Sequence, residues 1–288
     1  MPSLRCCFFQ RICYNGREDA AIMFLSPFFS PAEGGQPKKT AQDTAPLCAA
    51  VSMPRKCGHY LFNRRFSRPP KGGQPKKGGL AMKALLINGS PHVNGCTYTA
   101  LTELSRTLEA EGIETELVQA GARTTHGCTA CGQCRVTGKC VFDDVVNETA
   151  PKLLRADALV IGAPVYYASP AGGAIAFMDR LFFSVGIQSL TMKVGASVVS
   201  CRRGGNTASF DVLNKYFTIA GMPIASSQYW NMVYGNTPEE VLRDKEGLQT
   251  MRTLGRNMAF LMKSIQLGKA QYGLPQRETP IVTSFHHE

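Results

Sequence analysis

The sequence predicts an α/β domain in which helices cover both faces of a doubly wound parallel β-sheet. From Met82 almost to the end of the 288-residue chain, short apolar runs alternate with longer segments of helical periodicity. The apolar runs are unbroken, as is typical of strands buried on both faces. Because parallel strands need helical crossovers, five such repeats indicate a five-stranded sheet with helices on both faces.

The first repeat is the clearest. The run at 83–88 predicts a buried strand, and the segment at 97–111 has leucines on one helical face. Gly112 follows that helix, and glycine commonly ends helices. The run at 113–118 predicts the second strand.

The next repeat begins with a helix that opens at Asp143 and Asp144, since acidic side chains suit the positive end of a helix. Pro151 is expected to bend or delay this helix, because proline lacks the backbone N–H that a helix interior uses. A third strand at 158–162 and a helix at 170–183 follow.

The remaining elements complete the pattern. We predict a fourth strand at 194–200, a helix at 207–220, a fifth strand at 224–229 and a last helix at 238–265. The domain is therefore expected to span 82–268, followed by an extended tail at 269–288 in which prolines and a glycine interrupt any periodicity.

The basic charge lies before this domain. Residues 1–81 hold 13 Lys/Arg and 4 Asp/Glu, which is +9 of the chain's +11, whereas residues 82–288 hold 19 and 17, which is +2. Since the basic segment shows no periodicity, we do not expect a nucleic-acid partner. No stretch approaches the roughly 20 apolar residues that cross a bilayer, and we expect a cytoplasmic protein that does not bind membranes.

Residues 1–81 are interpreted as a disordered extension or as misread upstream sequence, with Met82 as the true start of translation. A hexapeptide, GGQPKK, occurs at 34–39 and again at 72–77. The codons for Lys77-Gly78-Gly79 can contain a purine-rich ribosome-binding sequence shortly before Met82. The alternative, a genuine basic tail or targeting peptide, stays open.

Three loops should meet at one edge of the sheet, because ligands of open parallel sheets bind beyond the carboxyl ends of the strands. The loop at 88–97 is rich in small residues and opens a helix, so its amides and hydroxyls can hold a phosphate. The loop at 162–170 places two tyrosines between prolines, where a flat ring can stack. The loop at 200–206 contains glycines that allow close backbone approach. An ordinary capped turn and tyrosines that pack the core are the alternatives.

These loops resemble those of the NADPH-dependent FMN reductase family of flavodoxin-like proteins, over essentially all of 82–288. The likeness rests on G-S-P-x-x-x-G-x-T at 89–97, P-V-Y-Y at 164–167 and the glycine pair at 204–205. It implies the strand order 2-1-3-4-5 and a bound FMN, with the phosphate on the first loop and the ring against the other two. Residue by residue, the implied FMN contacts are Ser90, Pro91, Asn94, Gly95, Cys96, Thr97, Pro164, Val165, Tyr166, Tyr167, Gly204, Gly205 and Asn206.

Four of the 11 cysteines form a compact C-x2-C-x2-C-x5-C motif. Four thiolates on one short loop can surround a cubic cluster, and the spacing resembles that of iron-sulfur flavoproteins, a branch of the same superfamily that holds a [4Fe-4S] cluster. A structural zinc site and a loop that binds nothing remain alternatives. The candidate ligands are Cys128, Cys131, Cys134 and Cys140.

The resemblance implies hydride transfer from NAD(P)H to FMN and onward to a quinone, a flavin or another small acceptor, with no catalytic side chain required. The alternative is an electron carrier that serves a ferredoxin-like protein, and a zinc-stabilised scaffold is a third, weaker interpretation. The resemblance also implies a homo-oligomer. Arg202 and Arg203 could meet the phosphates of a nicotinamide dinucleotide, although exposed arginines beside a glycine loop are commonly just solvated. Asp179-Arg180 is interpreted as an ion pair near a helix end rather than a catalytic pair.

Overall fold

The computed structural model describes residues 82–124, 126–279 and 281–283, so the predictions for residues 1–81 lie outside the described part of the chain. The strands are β1 (Lys83–Asn88), β2 (Glu114–Gln119), β3 (Ala158–Tyr166), β4 (Ser169–Pro170), β5 (Val194–Cys201) and β6 (Met232–Tyr234). The α-helices are α1 (Cys96–Ala110), α2 (Gln133–Thr137), α3 (Val145–Arg155), α4 (Gly172–Val185), α5 (Asn206–Ile219), α6 (Pro238–Arg243) and α7 (Lys245–Tyr272). A short 3₁₀ helix covers Ile187–Leu190.

The sheet order is β2-β1-β3-β5-β6, and all these neighbours pair in parallel. Counted among the parallel strands alone, this is the predicted order 2-1-3-4-5, which defines the flavodoxin-like arrangement. The fold class is therefore confirmed. The sequence did not predict β4, a two-residue strand that pairs antiparallel with the end of β3.

Two separate hydrophobic cores cover the two faces of the sheet. Because successive strand residues point to opposite faces, Leu85 and Ile87 belong to one core, whereas Leu86 belongs to the other. The first core includes Phe177 of α4 and the second includes Leu104 of α1, and all five side chains are fully buried. The helices that contribute to the first core are α3, α4 and α5, and those that contribute to the second are α1, α6 and α7.

The predicted fifth strand at 224–229 was misplaced. Ile224 makes only an isolated bridge to Gly195, and the regular strand is β6, eight residues further on. Between them, the Ser227 hydroxyl lies 2.6 Å from the Tyr229 carbonyl oxygen and 2.7 Å from Asn231 Oδ1, and it can donate its single proton to either acceptor. Such local side-chain hydrogen bonds compete with a β-ladder, and they explain why the chain turns here.

The predicted last helix at 238–265 is two helices that meet at Asp244. Its carboxylate accepts from the Gly247 N–H at 2.9 Å, which caps α7, and from the Tyr234 N–H at 2.7 Å. Helix α7 continues through Tyr272, so the predicted domain limit at 268 falls inside the helix. The described residues that follow it, 273–279 and 281–283, form no helix or strand.

Two other helix predictions need adjustment. Pro151 lies inside α3, which continues past it to Arg155, and Asp144 caps this helix as expected by accepting from the Val146 N–H. Helix α4 begins at Gly172 rather than 170, because Pro170 belongs to β4. In the part of the chain that the structure describes, no helix is both long and apolar enough to cross a membrane.

Candidate functional site

The three predicted loops do meet at the carboxyl edge of the sheet. The Gly89 N–H, after β1, donates to the Gly162 carbonyl of β3 at 2.8 Å. Thr97 in α1 and Ser200 in β5 share a hydrogen bond of 2.7 Å between their hydroxyls. The loops after β1, β3 and β5 therefore form one continuous surface.

The loop after β1 is held in shape by two amide side chains. Asn88 Oδ1 accepts from the Ser90 N–H at 3.1 Å, and Gln119 Nε2 donates to the Ser90 carbonyl at 2.6 Å. Ser90 is 3% exposed, whereas Pro91 and Asn94 lie on the surface. Sequence reasoning missed Gln119, since it lies on the neighbouring strand and nothing local connects it to this loop.

Helix α1 begins at this loop with Gly95 as its N-cap, a residue that has no side chain to satisfy the first amides. The Cys96 thiol donates to the Gly235 carbonyl at 3.6 Å, and burial raises the pKa of this thiol. Cys96 can therefore serve a phosphate with its backbone N–H rather than with its sulfur. Exposed amides at the positive end of a helix form a binding site for an anion.

Helices α4 and α5 also begin at this edge without a side-chain cap, with Ala171 and Gly205 as their N-caps. By contrast, α3, α6 and α7 begin with the side-chain caps Asp144, Thr237 and Asp244. The starts of α1, α4 and α5 at the edge where the flavin is expected therefore lack side-chain caps, as does the start of the short helix α2 in the cysteine loop.

The P-V-Y-Y motif forms a tight hairpin between β3 and β4. Val165 pairs with Pro170 and Tyr166 with Ser169, which leaves Tyr167 and Ala168 as a two-residue turn. Both turn residues have positive φ, 51° and 57°. Residues other than glycine adopt this conformation at a cost of about 1–3 kcal/mol each, and such strain is concentrated at functional sites.

The hairpin displays its aromatic rings to solvent. Tyr167 is fully exposed and Tyr166 is 45% exposed, whereas Pro164 and Val165 are half-buried beneath them. The alternative interpretation, in which these tyrosines merely pack the helix against the sheet, is therefore wrong. Their rings are available to a flat ligand.

The glycine loop after β5 fits closely against this hairpin. Gly205 has φ +88°, and a Cβ atom there would lie 2.6 Å from Ala168 Cα. Only glycine fits such a position without displacing the hairpin. Gly204 and the two arginines Arg202 and Arg203 are exposed.

Asn206 does not line this surface as expected. It is 7% exposed, its Nδ2 donates to Tyr234 Oη at 2.6 Å and to Met232 Sδ, and its Oδ1 accepts from the Thr207 N–H. Its polar atoms are engaged inside the protein, because α5 and β6 pack together at this point. Asn206 therefore positions the glycine loop by tying α5 to β6.

The four cysteines of the motif line one cavity of about 240 Å³. Cys128 and Cys131 are exposed, Cys134 and Cys140 are half-buried, and all four are free thiols. Each C-x2-C step contains one left-handed residue, Ala130 (φ 55°) in the first and Gly132 (φ 74°) in the second. These residues turn the chain so that successive sulfurs face the same space.

Cys140 is the most firmly held of the four. Asn147 Oδ1 accepts from the Cys140 N–H at 2.8 Å, and Asn147 Nδ2 donates to the Cys140 carbonyl at 3.0 Å. The Arg180 Nε–H donates to Cys140 Sγ at 3.2 Å. Helix α3 and helix α4 thus both contact the last cysteine of the motif.

The predicted Asp179–Arg180 ion pair is wrong. Arg180 forms a bidentate pair with Asp144, with Nη–Oδ distances of 2.6 and 2.9 Å, while Asp179 accepts from Tyr216 Oη at 2.5 Å. Adjacent residues on a helix point in directions about 100° apart, so the side chains of Asp179 and Arg180 face different parts of the protein. Burial and the Asp179 carboxylate raise the pKa of Tyr216.

The four thiols that border the cysteine cavity are ligands that either a cubic cluster or a single zinc ion could use. Among the described residues, no three His, Cys, Asp or Glu side chains are arranged around one metal-ion position. Zinc needs its ligand sulfurs about 2.3 Å from one point. A cubic cluster offers a separate iron to each thiolate, so it accepts sulfurs that are spread around a larger cavity.

Comparisons with known proteins agree with the described domain. The model of the family described as NADPH-dependent FMN reductase matches residues 82–237. An iron-sulfur flavoprotein of Methanocaldococcus jannaschii is 31% identical over 193 residues, which cover 64% of this chain and 100% of that protein. An iron-sulfur flavoprotein of Methanosarcina thermophila is 29% identical over 192 residues, which cover 64% and 97%.

Among solved structures, RosB with bound 8-demethyl-8-formylriboflavin-5'-phosphate superposes with a TM-score of 0.53. The match has 16% sequence identity and covers 72% of this chain and 92% of RosB. At this identity the likeness shows a shared fold.

Proposed function

This chain belongs to the NADPH-dependent FMN reductase family, and from that premise we propose that it is an FMN-dependent oxidoreductase. In this proposal it passes electrons from NAD(P)H to a quinone, a flavin or another small acceptor. The observation that carries the proposal is the junction of three loops where α1, α4 and α5 begin without side-chain caps.

The residues present fit an FMN molecule. The amides of Cys96 and Thr97 would hold the phosphate at the start of α1, and the Ser90 hydroxyl would donate to it. The rings of Tyr166 and Tyr167 would flank the isoalloxazine. The flavin would supply a ring that accepts a hydride and returns electrons singly or in pairs, so the chain itself needs no acid or base.

The phosphate contact can be tested by ligand choice. We expect the full chain, stripped of flavin, to bind FMN at one per chain and to bind riboflavin at least about tenfold more weakly, since a phosphate contact of about 1.4 kcal/mol would be lost. Fluorescence titration of both ligands measures this. A chain that binds neither ligand, or both equally, contradicts the proposed site.

The nicotinamide requirement is tested by anaerobic stopped-flow reduction. Rapid bleaching of bound flavin by NADPH or NADH supports the proposed enzyme activity.

Arg202 and Arg203 are exposed beside the glycine loop, so we propose that they bind the phosphates of the dinucleotide. Replacing both with Gln should then raise KM for the dinucleotide and leave FMN affinity unchanged.

A second candidate function is electron transfer through an iron-sulfur cluster to a ferredoxin-like protein. The observation that favours it is that all four cysteines of the motif border one cavity. Two relatives in which the matched span is nearly complete are named iron-sulfur flavoproteins. Reduction of the flavin by reduced ferredoxin but not by NADPH would favour the carrier over the enzyme.

Metal analysis decides what the cysteine loop binds. After anaerobic purification, we expect four iron atoms and four sulfides per chain for a [4Fe-4S] cluster. Stoichiometric zinc without iron would contradict the cluster.

We further propose that the chain forms a homo-oligomer. Light scattering of the purified chain measures its molar mass and tests this directly.

A further inference from the structure

One buried arginine joins the cysteine loop to the body of the domain. Arg180 lies in α4 and is 1% exposed, and its carboxylate partner Asp144 is 12% exposed. The same guanidinium donates to the carbonyls of His126 and Phe142, which lie on either side of the cysteine motif. It therefore contacts the chain before, after and within the motif.

The guanidinium has a partner for each of its donors. Arginine has five N–H groups. Nε donates to Cys140 Sγ, one Nη donates to His126 and Asp144, and the other donates to Phe142 and Asp144. Lysine has three donors on one nitrogen and cannot reproduce this fork.

The Phe142 ring supports this arrangement. The Arg180 Cζ atom lies 5.1 Å from the ring centroid, and the His126 ring stacks on Phe142 at 4.3 Å with an interplanar angle of 1°. These contacts hold the planar guanidinium in one orientation. The Nε–H is consequently directed at the sulfur rather than free to rotate.

We infer that Arg180 is a positioning residue for the proposed cluster: it fixes Cys140 as a ligand and, through the Nε–H to sulfur hydrogen bond, raises the reduction potential of the cluster. This inference rests on the proposed cluster-binding function. Hydrogen bonds to ligand sulfurs are among the factors that set cluster potentials, because they stabilise the more negative reduced state.

The hydrogen bond can be separated from the charge of the side chain. Asp144 neutralises the guanidinium at close range, so the sulfur is exposed mainly to a local N–H dipole. Arg180→Lys keeps the positive charge and removes the directed Nε–H. The double variant Arg180→Gln/Asp144→Asn removes both charges together and keeps the region neutral.

The exposed pair Arg123–Glu148 provides the matched control, with an Nη–Oε distance of 2.6 Å and no contact to a cysteine sulfur. Arg123→Lys makes the same chemical change, and Arg123→Gln/Glu148→Gln removes a comparable pair. The measurement is an EPR-monitored redox titration of the full chain, purified and loaded anaerobically, with iron, sulfide and FMN counted in each sample.

We expect the cluster potential to fall in both Arg180 variants and to stay within error of the wild type in both Arg123 variants. Cluster loss in the Arg180 variants with FMN content and circular dichroism unchanged also supports the positioning role. An unchanged potential in variants that retain the cluster overturns the inference and leaves the proposed function intact. Loss of FMN and of folded structure together with the cluster overturns it as well, because Arg180 would then act on the whole fold.

Absence of iron and sulfide from the wild-type chain would contradict the proposed cluster itself, not only the role of Arg180. In that case the proposed cluster fails, and the inference about Arg180 fails with it. The two failures are therefore distinguished by the metal content of the wild type, which is measured first.

Discussion

The two candidate cofactor regions are built in opposite ways. The flavin edge consists of strand ends and helix starts, and it offers mainly backbone amides around buried residues such as Ser90 and Thr97. The cysteine loop has one five-residue helix, α2, and offers four side chains, two of them exposed. The shape of the flavin edge is therefore determined by the fold itself. The shape of the cysteine loop depends instead on a few side-chain contacts, above all those of Arg180.

The largest effect on stability is expected at Arg180, the buried side chain with several hydrogen bonds to the cysteine loop. Arg180→Met removes one partner of a buried ion pair, which should lower the free energy of unfolding by roughly 3 kcal/mol. Urea denaturation measures the loss. The exposed arginine in Arg123→Met should cost at most about 1 kcal/mol. Equal losses in the two variants would show that Arg180 has no special structural role.

A smaller loss is expected at the flavin edge. Gly205→Ala forces a Cβ into contact with Ala168 at a positive φ, so we expect about 1–3 kcal/mol of destabilisation and weaker FMN binding. Gly204→Ala is the control for stability, because its Cβ would meet no protein atom within 4 Å. Thermal denaturation and FMN titration test both variants. Equal stability of the two variants would contradict the expected cost of a Cβ at Gly205, and wild-type FMN affinity in Gly205→Ala would contradict the proposal that the glycine loop borders the flavin.

Relieving the backbone strain of the hairpin should increase stability rather than lower it. Ala168→Gly relieves a positive φ of 57°, and we expect a gain of about 0.5–1 kcal/mol in stability. Ala176→Gly is the control, since Ala176 lies in the interior of α4, where glycine should cost about 0.5–1 kcal/mol. A stability loss in both variants would mean that the turn carries no relievable strain.

The smallest effect on stability should come from the exposed cysteine Cys131. Cys131→Ser leaves the core untouched, so the free energy of unfolding of the metal-free chain should change by less than about 0.5 kcal/mol. Iron content should nevertheless fall sharply while FMN content stays the same. Cys201→Ser, at a buried cysteine outside the motif, should leave iron content unchanged. Iron retention in the Cys131 variant would contradict its role as a ligand.

Most of the fold could be predicted from the sequence because apolar runs and helical periodicity are local signals. The strand order followed from the resemblance, and the convergence of the loops followed from the general geometry of parallel sheets. The hairpin at Tyr167 and Ala168 was not predictable, since such turns usually contain glycine or asparagine. The inward orientation of Asn206 depends on Tyr234, 28 residues away.

The ion-pair partner of Arg180 also could not be predicted from the sequence. Its neighbour Asp179 is the partner that the sequence suggests, yet its actual partner Asp144 lies 36 residues away. Which face of α4 each residue occupies is decided by packing against the sheet and the cysteine loop. Local patterns contain no information of that kind.

Helix α4 extends from the hairpin at the flavin edge to the arginine beneath the cysteine loop. Each residue added to a helix turns the chain by about 100° and advances it by about 1.5 Å. Inserting one residue between Ala171 and Arg180 would therefore swing the guanidinium away from Cys140 while the hairpin kept its place. The number of residues between Ala171 and Arg180 therefore fixes the orientation of the arginine at the cysteine loop relative to the hairpin at the flavin edge.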